Sequence, residues 1–146
     1  MRALLDVNVL IALLDGAHIH HAIAKQWLQA EIESGWASCP ITQNGCLRIM
    51  SQSAYPGAQA PAEIAQRLRH ASETPWHAFW PDDLSLLARD TLDWNHVLGS
   101  RQLTDLYLLA LAVHQDGRLV TLDRGIPLHA VPGATPDHLV RILEPS

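Results

Sequence analysis

The sequence predicts an α/β domain whose central sheet is mainly parallel and carries helices on both faces. Three observations predict it. Short apolar runs alternate with stretches of helical periodicity about 10 to 15 residues long, the signature of βαβ units. Two of the apolar runs stop at an aspartate, Ala3-Leu4-Leu5 at Asp6 and Leu119-Val120-Thr121-Leu122 at Asp123. One late stretch, 103–113, is apolar nearly all round and is therefore expected to lie buried against a sheet.

The elements follow in order. Ala3 to Leu5 reads as a buried strand, and Val7 to Leu14 as a helix apolar enough for the core. Asp6 between them is either the cap of that helix, where backbone donors are free, or a site residue whose burial needs compensation. The run 18–33 places Ile19, Ala22, Ile23, Trp27, Leu28 and Ile32 at helical spacing and ends at Ser34-Gly35. Its His18, His20 and His21 lack partners at zinc spacing and read as a solvated helix start. Trp36 to Cys39 is a second strand closed by Pro40, after which Thr42 can cap a helix running to Met50. The stretch 51–61, rich in Ser, Pro, Gly and Ala, reads as a loop, and 62–72 resumes helical periodicity.

Trp76 to Trp80 is a third strand candidate. Pro81-Asp82-Asp83 then opens a predicted helix over 84–90, with both acids as capping residues. A polar loop, 94–102, precedes the apolar helix that starts at Leu103-Thr104-Asp105 and ends at Asp116-Gly117. Asp105 stands in the first turn of that helix, where the macrodipole favours an ionised acid. The strand ending at Asp123 follows, then a last strand candidate over 138–143. No repeat, charge block or linker divides the chain, so 1–146 reads as one domain.

Composition narrows the class. The 48% hydrophobic and 17% charged content fits a compact globular chain with a real core. No run reaches the roughly 18 apolar residues of a membrane span, and no charged leader precedes the first helix. Cys39 and Cys46 read as free buried thiols in a reducing compartment, which points to the cytoplasm. The net charge of −5 runs against a protein that grips nucleic acid by charge alone. Such a ligand would need bound divalent cations and a local basic patch.

In parallel sheets, ligands bind outside the carboxyl ends of the strands. Asp6 and Asp123 stand at that edge, and a helix following a strand begins there too, so Asp105 can join them. Three converged carboxylates repel one another until a cation neutralises them. An all-oxygen set favours magnesium or manganese over zinc, and the chemistry suited to it is phosphodiester hydrolysis. The alternative is that these acids cap helices and turns.

The stretches LLDVNVLIAL, CPITQNGCLRIM, QLTDLYLLALAV and GRLVTLDRG, in this order, resemble PIN-domain proteins, specifically the VapC-type toxins of type II toxin–antitoxin systems. The resemblance spans almost the whole chain. It implies a PIN-like fold and a metal-dependent endoribonuclease with Asp6, Asp105 and Asp123 as its catalytic, metal-binding acids. Mg2+ would be the cofactor, with Mn2+ able to substitute. The substrate would be particular cellular RNAs, such as transfer or ribosomal RNA. A cognate antitoxin would occupy the groove, and the apolar helices leave surface for a homodimer.

Asn8, Gln43, Thr104 and Thr121 are candidates to support the acids, and each is equally explained as a capping or strand residue. Arg48, Arg101 and Arg124 are candidate RNA phosphate contacts, or ordinary surface charges. One departure is Gln43, where the family often has a glutamate; an amide is a weaker ligand, which leaves open whether one or two metals bind. A haloacid-dehalogenase-like phosphatase would need an acid where Asn8 stands, and a receiver domain would need an acid pair at the first strand. The remaining rival is a PIN scaffold that binds RNA or an antitoxin without cutting.

Overall fold

Five parallel strands in the order β3-β2-β1-β4-β5 form the sheet of the computed structural model, which describes residues 1–143. The strands are β1 (Ala3–Leu5), β2 (Trp36–Ser38), β3 (His77–Phe79), β4 (Arg118–Thr121) and β5 (Leu139–Arg141). The helices are α1 (Val7–Leu14), α2 (His21–Glu31), α3 (Pro40–Met50), α4 (Pro61–Ser72) and α5 (Leu103–His114). All four strand pairings are parallel, so the sheet is parallel throughout.

The sheet is buried on both faces, as all-parallel sheets require. Alternation along the central strands sorts the side chains. Leu4 and Leu119 point into the cluster built on α5, where every residue from Leu106 to Ala112 is buried. Ala3, Leu5 and Val120 point the other way, onto Val9 and Leu10 of α1, Cys46 and Met50 of α3, and Ile64 and Leu68 of α4. The apolar girth of α5 is thus explained by its place as the one long helix on its face among the described residues.

Several boundaries differ from the sequence reading. Helix α2 begins at His21, because His18 and His20 form a turn in which the His18 ring accepts the His20 amide at 3.0 Å. Cys39, rather than Thr42, is the N-cap of α3. Thr42 lies three residues further on and reaches back, accepting from the Cys39 amide at 3.0 Å and donating to its carbonyl at 3.1 Å. The last strand is shorter than 138–143, since a 3₁₀ turn occupies Pro136–His138. Both cysteines are free and buried, and burial pushes their thiols up to about 11, away from reactivity.

The predicted helix over 84–90 does not form. Leu84 and Leu86 both pack against the α5 cluster, a two-residue spacing that suits extended chain and defeats a helix. Ser85 then organises the bend, accepting from the Leu87 amide at 3.1 Å, while its carbonyl takes the Thr91 hydroxyl at 2.6 Å. Asp82 and Asp83 therefore cap nothing.

Gly45 sets the approach of α3 to α1. A Cβ there would stand 2.6 Å from Cγ2 of Val7, so only glycine lets the two helices close to this separation. That contact holds the N-terminal half of α3 beside the carboxyl end of β1. No helix among the described residues is long and apolar enough to cross a membrane.

Candidate active site

Asp6 follows β1 directly and is both cap and site residue. Only 4% exposed, it accepts the Val7 amide at 2.7 Å through Oδ1 and the Thr121 hydroxyl at 2.7 Å through Oδ2. Burial pushes its pKa up, an effect opposed by those two hydrogen bonds.

Thr121, the last residue of β4, connects the parts. Its hydroxyl donates to Asp6 and accepts the Asp123 amide at 3.0 Å, which turns the chain beyond the strand and aims Asp123 back at the edge. Asn8, in the first turn of α1, fastens the same segment from the other side: its Oδ1 accepts the Leu122 amide at 3.3 Å and its Nδ2 lies 3.5 Å from the Thr121 hydroxyl.

Asp105 arrives in the first turn of α5. Burial, then Asp6, then Asp123 push its pKa up to about 7, and no hydrogen bond offsets them. The helix dipole that favours its ionised form is outweighed by burial and by two neighbouring acids. One carboxylate oxygen from each of Asp6, Asp105 and Asp123 lies within 4.8 Å of the others.

These residues fit a hard divalent cation. At magnesium–oxygen distances of about 2.1 Å, ligands on opposite sides of the ion stand about 4.2 Å apart, close to the spread of these oxygens. The donors are all oxygen, and two of the three carboxyls have pKa values raised as an uncompensated anionic site requires. A divalent cation would supply the missing positive charge.

The acids open into a groove of about 570 Å³ whose walls include Asn8, Asn44, Arg48, Asp82 and Thr104. Of the expected supporting residues, Asn8 and Thr121 hold the acids through the bonds above, and Thr104 lines the wall. Gln43 does not reach the groove. Its amide donates to the Ser38 hydroxyl at 3.0 Å, which in turn lies 2.8 Å from the His77 ring. One residue along α3 turns the side chain through about 100°, so Asn44 faces the groove in its place. Of the expected phosphate contacts, Arg48 lines the groove, whereas Arg101 and Arg124 do not; Arg124 lines a separate cavity.

Asp82, which the sequence reading assigned to helix capping, stands on the groove wall with its Oδ1 buried and without a hydrogen-bond partner. Its position three residues beyond β3, at the carboxyl edge, was the available signal.

The chain is similar to known proteins in sequence and in fold. Residues 3–132 match the family described as PIN domain. The chain is 50% identical to Ribonuclease VapC44 of Mycobacterium tuberculosis over 142 residues, covering 97% of this chain and 100% of that protein. It is 42% identical to Ribonuclease VapC39 of the same organism over 127 residues, 86% of this chain and 91% of that one. Among solved structures, the fold is similar to a chain of VapBC2 from Rickettsia felis bound to a DNA fragment from its promoter. That match has a TM-score of 0.56 and 14% identity, and covers 84% of this chain and 89% of the other.

Proposed function

The chain belongs to the PIN-domain family, and we propose that it is a metal-dependent endoribonuclease, the toxin of a VapBC-type pair, working through Asp6, Asp105 and Asp123. The observation that carries this reading is the convergence of those three carboxylates from β1, α5 and the β4 turn within 4.8 Å, in an open groove. The VapC ribonucleases to which the chain is similar over nearly their whole length support the same assignment.

Asp6, Asp105 and Asp123 would hold the cation, Mg2+ with Mn2+ as substitute. When bound, the ion offsets charge on the scissile phosphate and lowers the pKa of water beside it. The protein supplies rigidity and access. Asp6 is immobilised by two hydrogen bonds, and Asp123 is oriented by the Thr121 hydroxyl. Asp105 shares its helix tip with Thr104 on the groove wall. Arg48, on α3 across the groove, is placed to meet a phosphate of the substrate strand. The partner is a cognate antitoxin that closes the same groove, and the toxin pairs with a second copy of itself.

The test is cleavage of a total-RNA pool by purified protein with Mg2+, Mn2+ or EDTA, beside Asp105→Asn. Discrete cuts that need metal and vanish in the variant support the proposal. A folded protein that binds RNA but cuts with neither metal moves the assignment to a non-cleaving scaffold.

A further inference from the structure

Beyond the acids, along the same edge of the sheet, lies a second cavity of about 330 Å³. It is walled by His20 and Ile23 from the start of α2, Arg124 from the β4 turn, and Arg141 and Ile142 at the end of β5. Its chemistry is opposite to that of the groove. Arg124 is the residue after Asp123, so the cation and the acid leave adjacent backbone positions toward different cavities. Arg141 is in register with Thr121, whose hydroxyl holds Asp6, which puts it one strand spacing, about 4.8 Å, from the acid site's scaffold.

Three other arginines have structural work. Arg2 donates to the carbonyls of Trp36 and Trp76, Arg67 to Gln59 and the Leu14 carbonyl, and Arg118 pairs with Glu31. Among the described residues, Arg124 and Arg141 have no carboxylate partner. Two guanidinium groups in one concavity, neither held by a carboxylate, suit an oxyanion with several acceptors.

We propose that the Arg124–Arg141 cavity is an RNA subsite that grips a backbone phosphate next to the one held at the acids. The inference rests on the ribonuclease reading above and adds to it the path of the strand. RNA would cross the carboxyl edge from Arg48 on the α3 side, over Asp6, Asp105 and Asp123, to Arg124 and Arg141 beside β5. The subsite also answers the charge problem, since a chain of net charge −5 can hold a polyanion when its unpaired arginines flank its acids.

The experiment measures affinity of a short single-stranded RNA by fluorescence anisotropy across a salt series with Mg2+, in an Asp105→Asn background so that turnover does not intervene. Arg124→Gln and Arg141→Gln are each expected to weaken binding roughly 5- to 20-fold, the loss of a charge-assisted hydrogen bond. Each should lower the slope of log affinity against log salt by about 0.7, one single-strand phosphate contact. Arg141→Lys should stay within about threefold of the parent, which separates lost charge from a damaged β5 edge. Arg89→Gln, an exposed arginine of the 80–102 loop that lines neither cavity, should change nothing.

Unchanged RNA affinity and salt slope in both glutamine variants would overturn the proposal and leave the cavity to another anion, such as an acidic segment of a protein partner. Inorganic phosphate that raises the melting temperature of the parent, but not of the glutamine variants, while RNA affinity stays constant would assign the cavity to free anions and overturn it too. A wild-type protein that binds RNA without cutting it would refute the nuclease reading while leaving this binding test decisive.

Discussion

Replacing Asp105 by asparagine separates the electrostatics of the three acids from their chemistry. In the metal-free protein, the folded-state pKa of Asp105 stands at about 7, raised by burial, Asp6 and Asp123. The folded state therefore keeps its proton longer than the unfolded chain, whose carboxyl titrates near 4. The stability this contributes is full below pH 4 and is lost as pH rises through 7. Two unit charges 4.8 Å apart, the limit of the cluster, repel by about 3 kcal/mol at an effective dielectric of about 20. Asp123 is exposed, so its share is discounted toward the value in water, about 1 kcal/mol or less. Removing the Asp105 charge should then stabilise the metal-free fold by roughly 1 to 3 kcal/mol at pH 8 and by nothing at pH 4. For a domain of this size each kcal/mol moves the melting point by roughly 2 to 4 °C. Scanning calorimetry in EDTA at both pH values, repeated with excess Mn2+, reads all of it. The variant should melt several degrees above wild type at pH 8 without metal. The order should narrow or invert with Mn2+, since only wild type retains the full ligand set that gains stability from binding. A variant that melts at or below wild type in EDTA at pH 8 would refute the convergence of these charges.

Three other substitutions probe the framework. Thr121→Val removes the hydroxyl that donates to Asp6 and accepts from the Asp123 amide; it should cost roughly 1.5 to 3 kcal/mol and lower cleavage about 10- to 100-fold, read by urea melts and single-turnover rates. Gly45→Ala presses a methyl onto Val7 and should destabilise by roughly 1 to 3 kcal/mol, with Val7→Ala in the double variant restoring part of the loss; additive costs in that cycle would contradict the contact. Tyr55→Phe removes the 2.5 Å hydrogen bond that is the main cause of the low Asp15 pKa. A depressed carboxyl contributes stability above its unfolded pKa and loses it as pH falls. The variant should therefore melt lower than wild type at pH 7, converge with it toward pH 3, and leave cleavage intact.

What the sequence revealed of the site is what backbone topology dictates. An aspartate that ends an apolar run, in a chain of alternating strands and helices, is expected at the carboxyl edge, which is where Asp6 and Asp123 stand. Asp105 followed because a helix entered from a strand starts at the same edge. The cap-or-site choice at Asp6 had no answer in sequence, since its two oxygens do both jobs and the second partner, Thr121, lies 115 residues away. Asp82 stands where the same edge argument places it, three residues beyond β3, whereas Gln43 has no such signal. Which side of α3 meets the groove depends on the face it turns to α1, where Gly45 lies against Val7, and periodicity does not say which neighbour a face meets. The segment 84–90 has enough leucine for a helix, yet Leu84 and Leu86 are claimed together by the α5 cluster, a tertiary demand that overrides local preference.

Charge was the least legible property, and the reason bears on how this fold handles RNA. A net charge of −5 argues against a polyanionic ligand only if charge is spread evenly over the surface. Here Asp6, Asp105 and Asp123 are concentrated at one point of the sheet edge, where a cation would neutralise them. Arg2, Arg67 and Arg118 are tied to carbonyls, an amide and a glutamate, so they add little positive potential at the edge. Under the proposed function, a strand of RNA would meet there three acids holding a cation, flanked by Arg48 on one side and by Arg124 and Arg141 on the other. The sign of the field at the groove would then be set by metal occupancy. Without an ion the three acids would repel phosphate; with one, the flanking arginines would act in concert with it. RNA affinity should accordingly rise with Mg2+ far more in wild type than in Asp105→Asn. Equal gains in the two proteins would mean that the arginines alone hold the strand.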